Sequence, residues 1–207
     1  GVMVRTGIQG GWVIGWQDNE HCILEDGIIV YSGNSIEFVG FPSDPACPKP
    51  DRIIDARGKL VSPGFVNLHC IANFDLQILN IDHPRPEGYN RPAWVIEPNA
   101  QTIMSDDDFR ISADFSVTSL LKCGNTSFGS VTTGLTKFWD DADAEPYALA
   151  EASERLGARA WLSHIYQEAC DYTDGKGIPR RIWDEKRAQA GLDKGIRFIN
   201  DMKPKYS

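Results

Sequence analysis

A histidine at the end of a short apolar run is the first feature of this sequence that could do chemistry. The segment SPGFVNLHCI, residues 62–71, begins with a turn and leads through a strand-like run to His69. Side chains alternate along a strand, so Asn67, His69 and Ile71 are predicted to share one face. The apolar residues between them suit packing against helices. Because buried polar side chains need partners, the pattern favours a site around Asn67 and His69.

Two other segments contribute candidate residues. His164 closes the apolar run ARAWLSH, and Tyr166 follows in the same loop. His83 lies in the sequence DHPRP. The candidate catalytic residues are His69 and His164, because each closes a predicted strand. The candidate substrate contacts are Asn67, Ile71, His83 and Tyr166.

Each histidine also has a structural interpretation. If its neighbours are considered alone, the pattern favours a hydrogen-bonded core histidine at His69. His164 could be an exposed residue at the start of a loop, and His83 a solvated one. Asn67 could be a structural residue of the buried face.

The first part of the chain is predicted to be a small β domain. Residues 8–60 contain short alternating runs, with turn signals at Asp26-Gly27 and Gly33-Asn34. Such alternation is typical of an antiparallel sheet with one buried face. We interpret Gly1 and Val2 as a cloning remnant and predict a β-sandwich-like domain over residues 3–60.

Strands and helices alternate after Pro63-Gly64. The strands are predicted in FVNLHC, NTSFGSVTTG and ARAWLSH, and the helices in SDDDFRISADFSVTSLLKCG, EPYALAEASERLG and IWDEKRAQAGLDKGIRFINDM. Ser105 and Asp108 form a capping-box pattern before the first helix, and Gly124 and Gly157 end the first two. This order predicts a parallel α/β sheet with right-handed crossovers.

The long connection over residues 72–104 contains four prolines and no clear periodicity. Connections of this length are usually lids or binding loops. It follows the first parallel strand, whose carboxyl end lies on the side where α/β folds keep their active sites.

Composition excludes several classes of function. The chain has 207 residues, with 21 Lys+Arg against 29 Asp+Glu and a net charge of -8. Without a basic cluster, this charge argues against nucleic acid and anionic membranes as partners, and no apolar run reaches the about 18 residues of a membrane span. Five scattered cysteines predict free thiols in a reducing cytoplasm.

The segment IIDARGKLVSPGFVNLH resembles the amidohydrolase superfamily, in its cytosine-deaminase and chlorohydrolase-like branch. The segments CGNTSFGSV, EASERLGARAWLS and WDEKRAQAGLDKGIRFI resemble the family's following strands and helices in the same order. The resemblance implies a β-sandwich domain followed by a TIM barrel, with residues 61–207 supplying about three of its about eight βα units. A second polypeptide is therefore expected to complete the barrel, in a higher oligomer.

The same resemblance implies a divalent metal, zinc or iron. The family's H-x-H pattern places two imidazoles on one strand face, and here His69 occupies the first position while Ile71 replaces the second histidine. Cys70 is predicted to face the other side. The family's other ligands come from strands five, six and eight, which lie beyond these residues, so His69 is the one candidate metal ligand.

The function implied is hydrolysis of a carbon–nitrogen or related bond in a small amide, cyclic amide or amino-heterocycle. Replacement of the second histidine leaves two alternatives open. One is a ring-closing condensation on the same scaffold, and the other is a non-catalytic pseudoenzyme or assembly subunit.

Overall fold

The computed structural model describes residues 4–72, 105–131, 143–173 and 178–206. The chain divides into two compact units, Gly1–Pro63 and Gly64–Ser207. His83 and almost all of the predicted loop lie outside the described residues. No helix in the described ranges is long and apolar enough to cross a membrane.

The first unit contains a mixed five-stranded sheet. Its strands are β1 (Arg5–Gln17), β2 (Glu20–Ser32), β3 (Ser35–Gly40), β4 (Arg52–Asp55) and β5 (Leu60–Val61). They are ordered β3-β2-β1-β4, with β5 also paired to β1. The first three strands are antiparallel as predicted, whereas β4 and β5 run parallel to β1. A second layer of a sandwich is absent from the residues that the structure describes.

The turn predictions in this unit had different outcomes. Gly33 has a φ of 58° and lies in the turn between β2 and β3, as predicted. The predicted turn at Asp26-Gly27 is wrong, because both residues lie inside β2. Asp26 has a φ of 56° and coincides with a register shift against β1. The same positive-φ signal that ends a strand in a turn here forms a β-bulge.

A tight polar turn follows β4 and leads to β5. The Asp55 carboxylate accepts hydrogen bonds from the Arg57 backbone nitrogen at 3.0 Å and from Arg57 Nη2 at 2.6 Å. Gly58 continues the turn with a φ of 72°, where a side chain would be strained. Hydrogen bonding to Arg57 lowers the pKa of Asp55 to about 2, since both bonds favour the charged carboxylate.

Replacing Arg57 with glutamine is expected to raise the pKa of Asp55 towards 3.8. Because the pKa is lowered in the folded protein, the turn's contribution to stability is present above pH 3.8 and is lost as the pH falls towards 2. Titration of the Asp55 side-chain carbon by NMR measures the shift. The control is Arg110→Gln, which removes another exposed aspartate–arginine pair. An Asp55 pKa near 3.8 in the unmodified protein would contradict the assignment.

The second unit is an α/β unit built on a three-stranded parallel sheet. Its elements are β6 (Phe65–Cys70), α1 (Asp106–Lys122), β7 (Asn125–Ser130), α2 (Ala144–Leu156), β8 (Arg159–Trp161), β9 (Ala169–Thr173), β10 (Pro179–Trp183) and α3 (Glu185–Tyr206). The sheet order is β6-β7-β8, with parallel pairing throughout. The predicted alternation of strands and helices is therefore confirmed in this unit.

The antiparallel hairpin of β9 and β10 is a difference from the sequence prediction. It lies between β8 and α3, and the helix predicted to start at residue 182 begins at Glu185 instead. The Asp-Gly pair at residues 174–175, between two short runs, is the hairpin signal that the sequence carried.

Capping residues fix the first two helices. Ser105 and Asp108 form the predicted capping box, with Asp108 Oδ2 accepting from the Ser105 nitrogen at 2.8 Å. Gly157 ends α2 in the left-handed conformation, with a φ of 85°. Asp143 precedes α2 but makes no capping hydrogen bond with its side chain, so its carboxylate is available for other contacts.

The core of this unit lies between the sheet and the first two helices. Phe128 of β7 is fully buried there against small residues of both helices. The cluster comprises Cys70, Ala72, Phe109, Ala113, Val117, Phe128, Ala148, Leu149 and Ala152. An ion pair between Asp114 and Arg155 links α1 to α2 at the surface. This packing fixes the sheet edge at which the candidate residues lie.

Candidate functional site

Strand β6 carries His69 at its carboxyl end, but it is not a regular strand. Asn67 pairs with Phe128, and Cys70 pairs with Ser130. Three steps along β6 therefore match two along β7, so β6 holds one extra residue between Asn67 and Cys70. The strict alternation predicted for residues 65–71 does not run through this bulge.

The apolar residues of β6 differ accordingly. Cys70 is buried in the core with Phe109 and Phe128, as predicted for the helix-facing side. Val66 and Leu68 are 56% and 85% exposed. The prediction that all three pack against helices is wrong for Val66 and Leu68, because no described element covers that part of this edge strand.

Asn67 holds the backbone that presents His69. Its Oδ1 accepts a hydrogen bond from the His69 backbone nitrogen at 3.1 Å, the geometry of an Asx turn. Asn67 is half-buried, whereas His69 is exposed. The amide oxygen of Asn67 is thus engaged within the strand, and the His69 ring is accessible.

The neighbours of His69 cannot supply a second metal ligand. Cys70 is buried, and its carbonyl accepts from the Val131 nitrogen at 2.7 Å, which fixes it to the end of β7. Ile71 is half-buried and carries no ligand atom. Among the described residues, no three His, Cys, Asp or Glu side chains converge as a metal site. These residues can contribute one imidazole to a metal, but they do not form a site by themselves.

His164 lies three residues beyond the end of β8 and is buried. Its side chain is 3% exposed, and its Nε2 is 3.6 Å from Asp143 Oδ1. The imidazole also packs near the ring of Phe198 on α3, with centroids 6.5 Å apart. The exposed loop-start position that was the alternative for His164 is therefore wrong.

Asp143 is the functional candidate that sequence reasoning missed. Besides His164, its carboxylate contacts Lys194 Nζ at 3.6 Å and accepts from Arg197 Nη2 at 3.1 Å. One carboxylate thus joins the start of α2, the segment after β8 and the middle of α3. A lone aspartate before a helix normally indicates a cap, so the sequence gives no signal of this role.

A second polar contact ties α2 to α3 beside this carboxylate. Tyr147 donates its hydroxyl hydrogen to Asp201 Oδ2 at 2.6 Å, and its ring meets Phe198 edge-on, with centroids 5.0 Å apart. Burial raises the pKa of Tyr147, and the bond to Asp201 raises it further. The phenol is therefore a hydrogen-bond donor at neutral pH.

Tyr166 is 46% exposed and lies over α3. Gly191 provides the space, because a Cβ there would stand 2.6 Å from Tyr166 Cβ. The carboxyl ends of β6, β7 and β8 meet at one edge of the parallel sheet. His69 is exposed near the end of β6, whereas the side chain of His164, beyond the end of β8, is buried.

Replacing Asn67 with alanine is expected to lower the free energy of unfolding by about 0.5–1.5 kcal/mol, since the hydrogen bond to the His69 nitrogen is lost. Asn67→Asp keeps an acceptor at the same position and serves as the matched variant. Urea unfolding measures the difference, and amide exchange at His69 locates it. Equal stability of both variants with the unmodified protein would contradict the role given to Asn67.

Comparison with known proteins gives relatives of related chemistry. The chain is 28% identical to the imidazolonepropionase of Paenarthrobacter aurescens over 166 residues, covering 76% of this chain and 39% of that protein. It is 27% identical to the 5'-deoxyadenosine deaminase of Methanosarcina acetivorans over 177 residues, covering 85% of this chain and 34% of the relative. The chain thus spans less than two fifths of the length of these curated relatives. No protein-family model matches it.

Solved structures share the fold. Guanine deaminase of E. coli superposes with a TM-score of 0.65 at 17% identity, covering 95% of this chain and 42% of that one. A mutant atrazine chlorohydrolase of Arthrobacter aurescens, solved with zinc and atraton, gives 0.58 at 24% identity, covering 76% and 35%. Both likenesses establish the fold of the part that they cover.

Proposed function

We propose that this chain, which belongs to the amidohydrolase superfamily and matches the N-terminal portion of its members, forms part of an enzyme that hydrolyses a carbon–nitrogen or related bond. The substrate class is a small amide, cyclic amide or amino-heterocycle. The exposed imidazole of His69 at the carboxyl end of the first parallel strand is the observation that carries the proposal, because parallel α/β folds keep their chemistry at that edge.

The finer architecture belongs to the same proposal. Strands β6, β7 and β8 with helices α1, α2 and α3 correspond to the first about three of about eight units of a TIM barrel. The five-stranded sheet of the first unit corresponds to part of a β-sandwich. The parallel order β6-β7-β8 supports this assignment, and we keep the predicted domains of residues 3–60 and 61–207.

The candidate residues receive these roles in the proposal. His69 is a metal ligand or a catalytic group, and Tyr166 contacts the substrate. A divalent metal, zinc or iron, would supply Lewis-acid chemistry, and its remaining ligands would come from outside the described residues. Ile71 would line the site with an aliphatic group. The catalytic role predicted for His164 and the substrate role of His83 remain predictions, the latter outside the described residues.

The hydrolase proposal is tested by ammonia release from a panel of amino-heterocycles, including guanine and 5'-deoxyadenosine, with the purified native protein. His69→Ala is expected to lower kcat/KM roughly 100-fold or more, the range seen for loss of a catalytic acid or base. The control is His21→Ala, which changes an exposed histidine of the first unit whose ring meets Trp16 edge-on. Metal content measured by mass spectrometry accompanies both variants.

Two outcomes oppose the hydrolase assignment. Unchanged turnover together with no bound metal would exclude His69 from the chemistry. Full recovery of every compound, including cyclic amides added to the panel, would favour the pseudoenzyme or assembly alternative, which Ile71 supports because it lacks a ligand atom. Loss of substrate without release of ammonia or water uptake would favour ring closure.

We also propose that a second polypeptide supplies the rest of the barrel. Trp161 on β8 is 63% exposed, and a groove of about 660 Å³ lies beside it between α2 and α3. Phe198, Ile199 and Met202 line its helical wall. Ile199 is also exposed, and β8 is the last strand of its sheet among the described residues, so its outer edge can pair with a further strand.

Intact-mass analysis and a denaturing gel of the native protein test this partnership. The expected result is a second polypeptide that co-purifies in constant ratio, within a higher oligomer. Trp161→Ser on the groove is expected to weaken that association at least tenfold. The control Trp16→Ser changes an equally exposed tryptophan of the other unit. A single monodisperse chain with no second polypeptide would contradict the proposal.

A further inference from the structure

The segment after β8, residues 162–168, is held at both ends by backbone-directed hydrogen bonds. Ser163 Oγ donates to the Ser130 carbonyl of β7 at 2.9 Å. At the other end, the Asp184 nitrogen donates to the Glu168 carbonyl at 2.8 Å, immediately before α3. Between these two points the chain must pass close to α3.

Two glycines of α3 lie beneath the middle of this segment. Gly191 and Gly195 are one helical turn apart and so share a face. A Cβ on Gly191 would stand 2.6 Å from Tyr166 Cβ and 3.6 Å from its Cα. A Cβ on Gly195 would meet His164 Cβ at 3.7 Å, an ordinary contact. Only Gly191 is therefore required by the packing, since no rotation of the Tyr166 side chain moves its Cβ away.

A carboxylate lies against the His164 side chain of the segment. The Asp143 carboxylate faces His164 at 3.6 Å and accepts from Arg197 at 3.1 Å, with Lys194 also at 3.6 Å. His164 is thus enclosed between α3 and a carboxylate that belongs to the start of α2. The contact between Asp143 and His164 lies two residues from Tyr166 and helps to hold the segment against α3.

We propose that Gly191 and Asp143 are positioning residues that set the place of Tyr166 over α3, and thereby the binding of the substrate. Gly191 sets how closely the segment approaches α3, and Asp143 holds it there through His164 and Arg197. Neither residue touches the substrate. The effect on substrate rests on the proposed hydrolase function, whereas the positioning of the segment does not.

The glycine pair offers a matched comparison. Gly191→Ala and Gly195→Ala make the same change on one face of one helix, and both raise intrinsic helix propensity equally. Gly191→Ala is expected to displace Tyr166 and to increase amide hydrogen exchange over residues 162–168 roughly tenfold, since overpacking forces the backbone to move. Gly195→Ala is expected to leave this exchange within about twofold, as an ordinary contact requires.

A double variant separates the steric clash between residues 191 and 166 from a general loss of stability. Gly191→Ala in a Tyr166→Gly background places no Cβ against the new methyl, so exchange should match that of Tyr166→Gly alone. A further increase in the double variant would mean that Gly191 acts elsewhere. This double-mutant cycle measures the coupling between the two positions directly.

Asp143 is tested in the same way. Asp143→Asn keeps the shape but removes the charge, and it is expected to increase exchange over residues 162–168 at least threefold. The control is Asp114→Asn, which removes a similarly exposed partner of a helix–helix ion pair with Arg155. Equal effects of the two variants on this segment would overturn the role of Asp143.

Kinetics decide whether positioning reaches the substrate. With a substrate from the ammonia assay, Gly191→Ala is expected to raise KM roughly tenfold with little change in kcat, as loss of uniform binding does. A lower kcat with an unchanged KM would contradict the proposal that Tyr166 contributes to substrate binding. If no compound is turned over, the hydrolase proposal fails while the exchange results still decide the positioning of the segment.

Discussion

The burial of Phe128 in the middle of β7 is the constraint on which the α/β unit depends. Its ring is inaccessible to water between the sheet and two helices whose facing residues include Ala113 and Ala152. Small residues let the helices approach closely, so both must cover the same face of the parallel strands. Once the helices are fixed there, the loops that join strands to helices meet at one edge. The position of His69, Asp143 and the segment after β8 follows from that arrangement.

Local features of this fold could be predicted from sequence because their partners are near in the chain. The capping box joins Ser105 to Asp108, three residues apart, and Gly157 ends its helix through its own backbone conformation. Features that depend on a neighbouring strand could not. The bulge in β6 is defined by its register against β7. No residue between Asn67 and Cys70 is one that predicts a bulge from sequence alone.

Ambiguous signals explain the other differences. The Asp26-Gly27 pair permits a positive φ, which occurs in β-bulges as well as in turns. The residues on both sides of the pair are paired with β1, so it forms a bulge within β2. His164 ends an apolar run, which predicts a place near the sheet edge but not the direction of its ring. Contacts with Asp143 and Phe198 decide that direction, and both lie on other elements.

Asp143 shows why the candidate site departs from local rules. An aspartate before a helix normally accepts a backbone hydrogen bond, and its loss costs about 1 kcal/mol. Here the side chain leaves the α2 backbone and contacts Arg197 and His164 instead. Gly191 repeats the pattern, because glycine weakens a helix interior but admits Tyr166. Natural proteins depart from local preference mainly at functional or strained positions. Two such departures, Asp143 before α2 and Gly191 in α3, both contact the segment after β8, and this convergence supports the proposal that they position it.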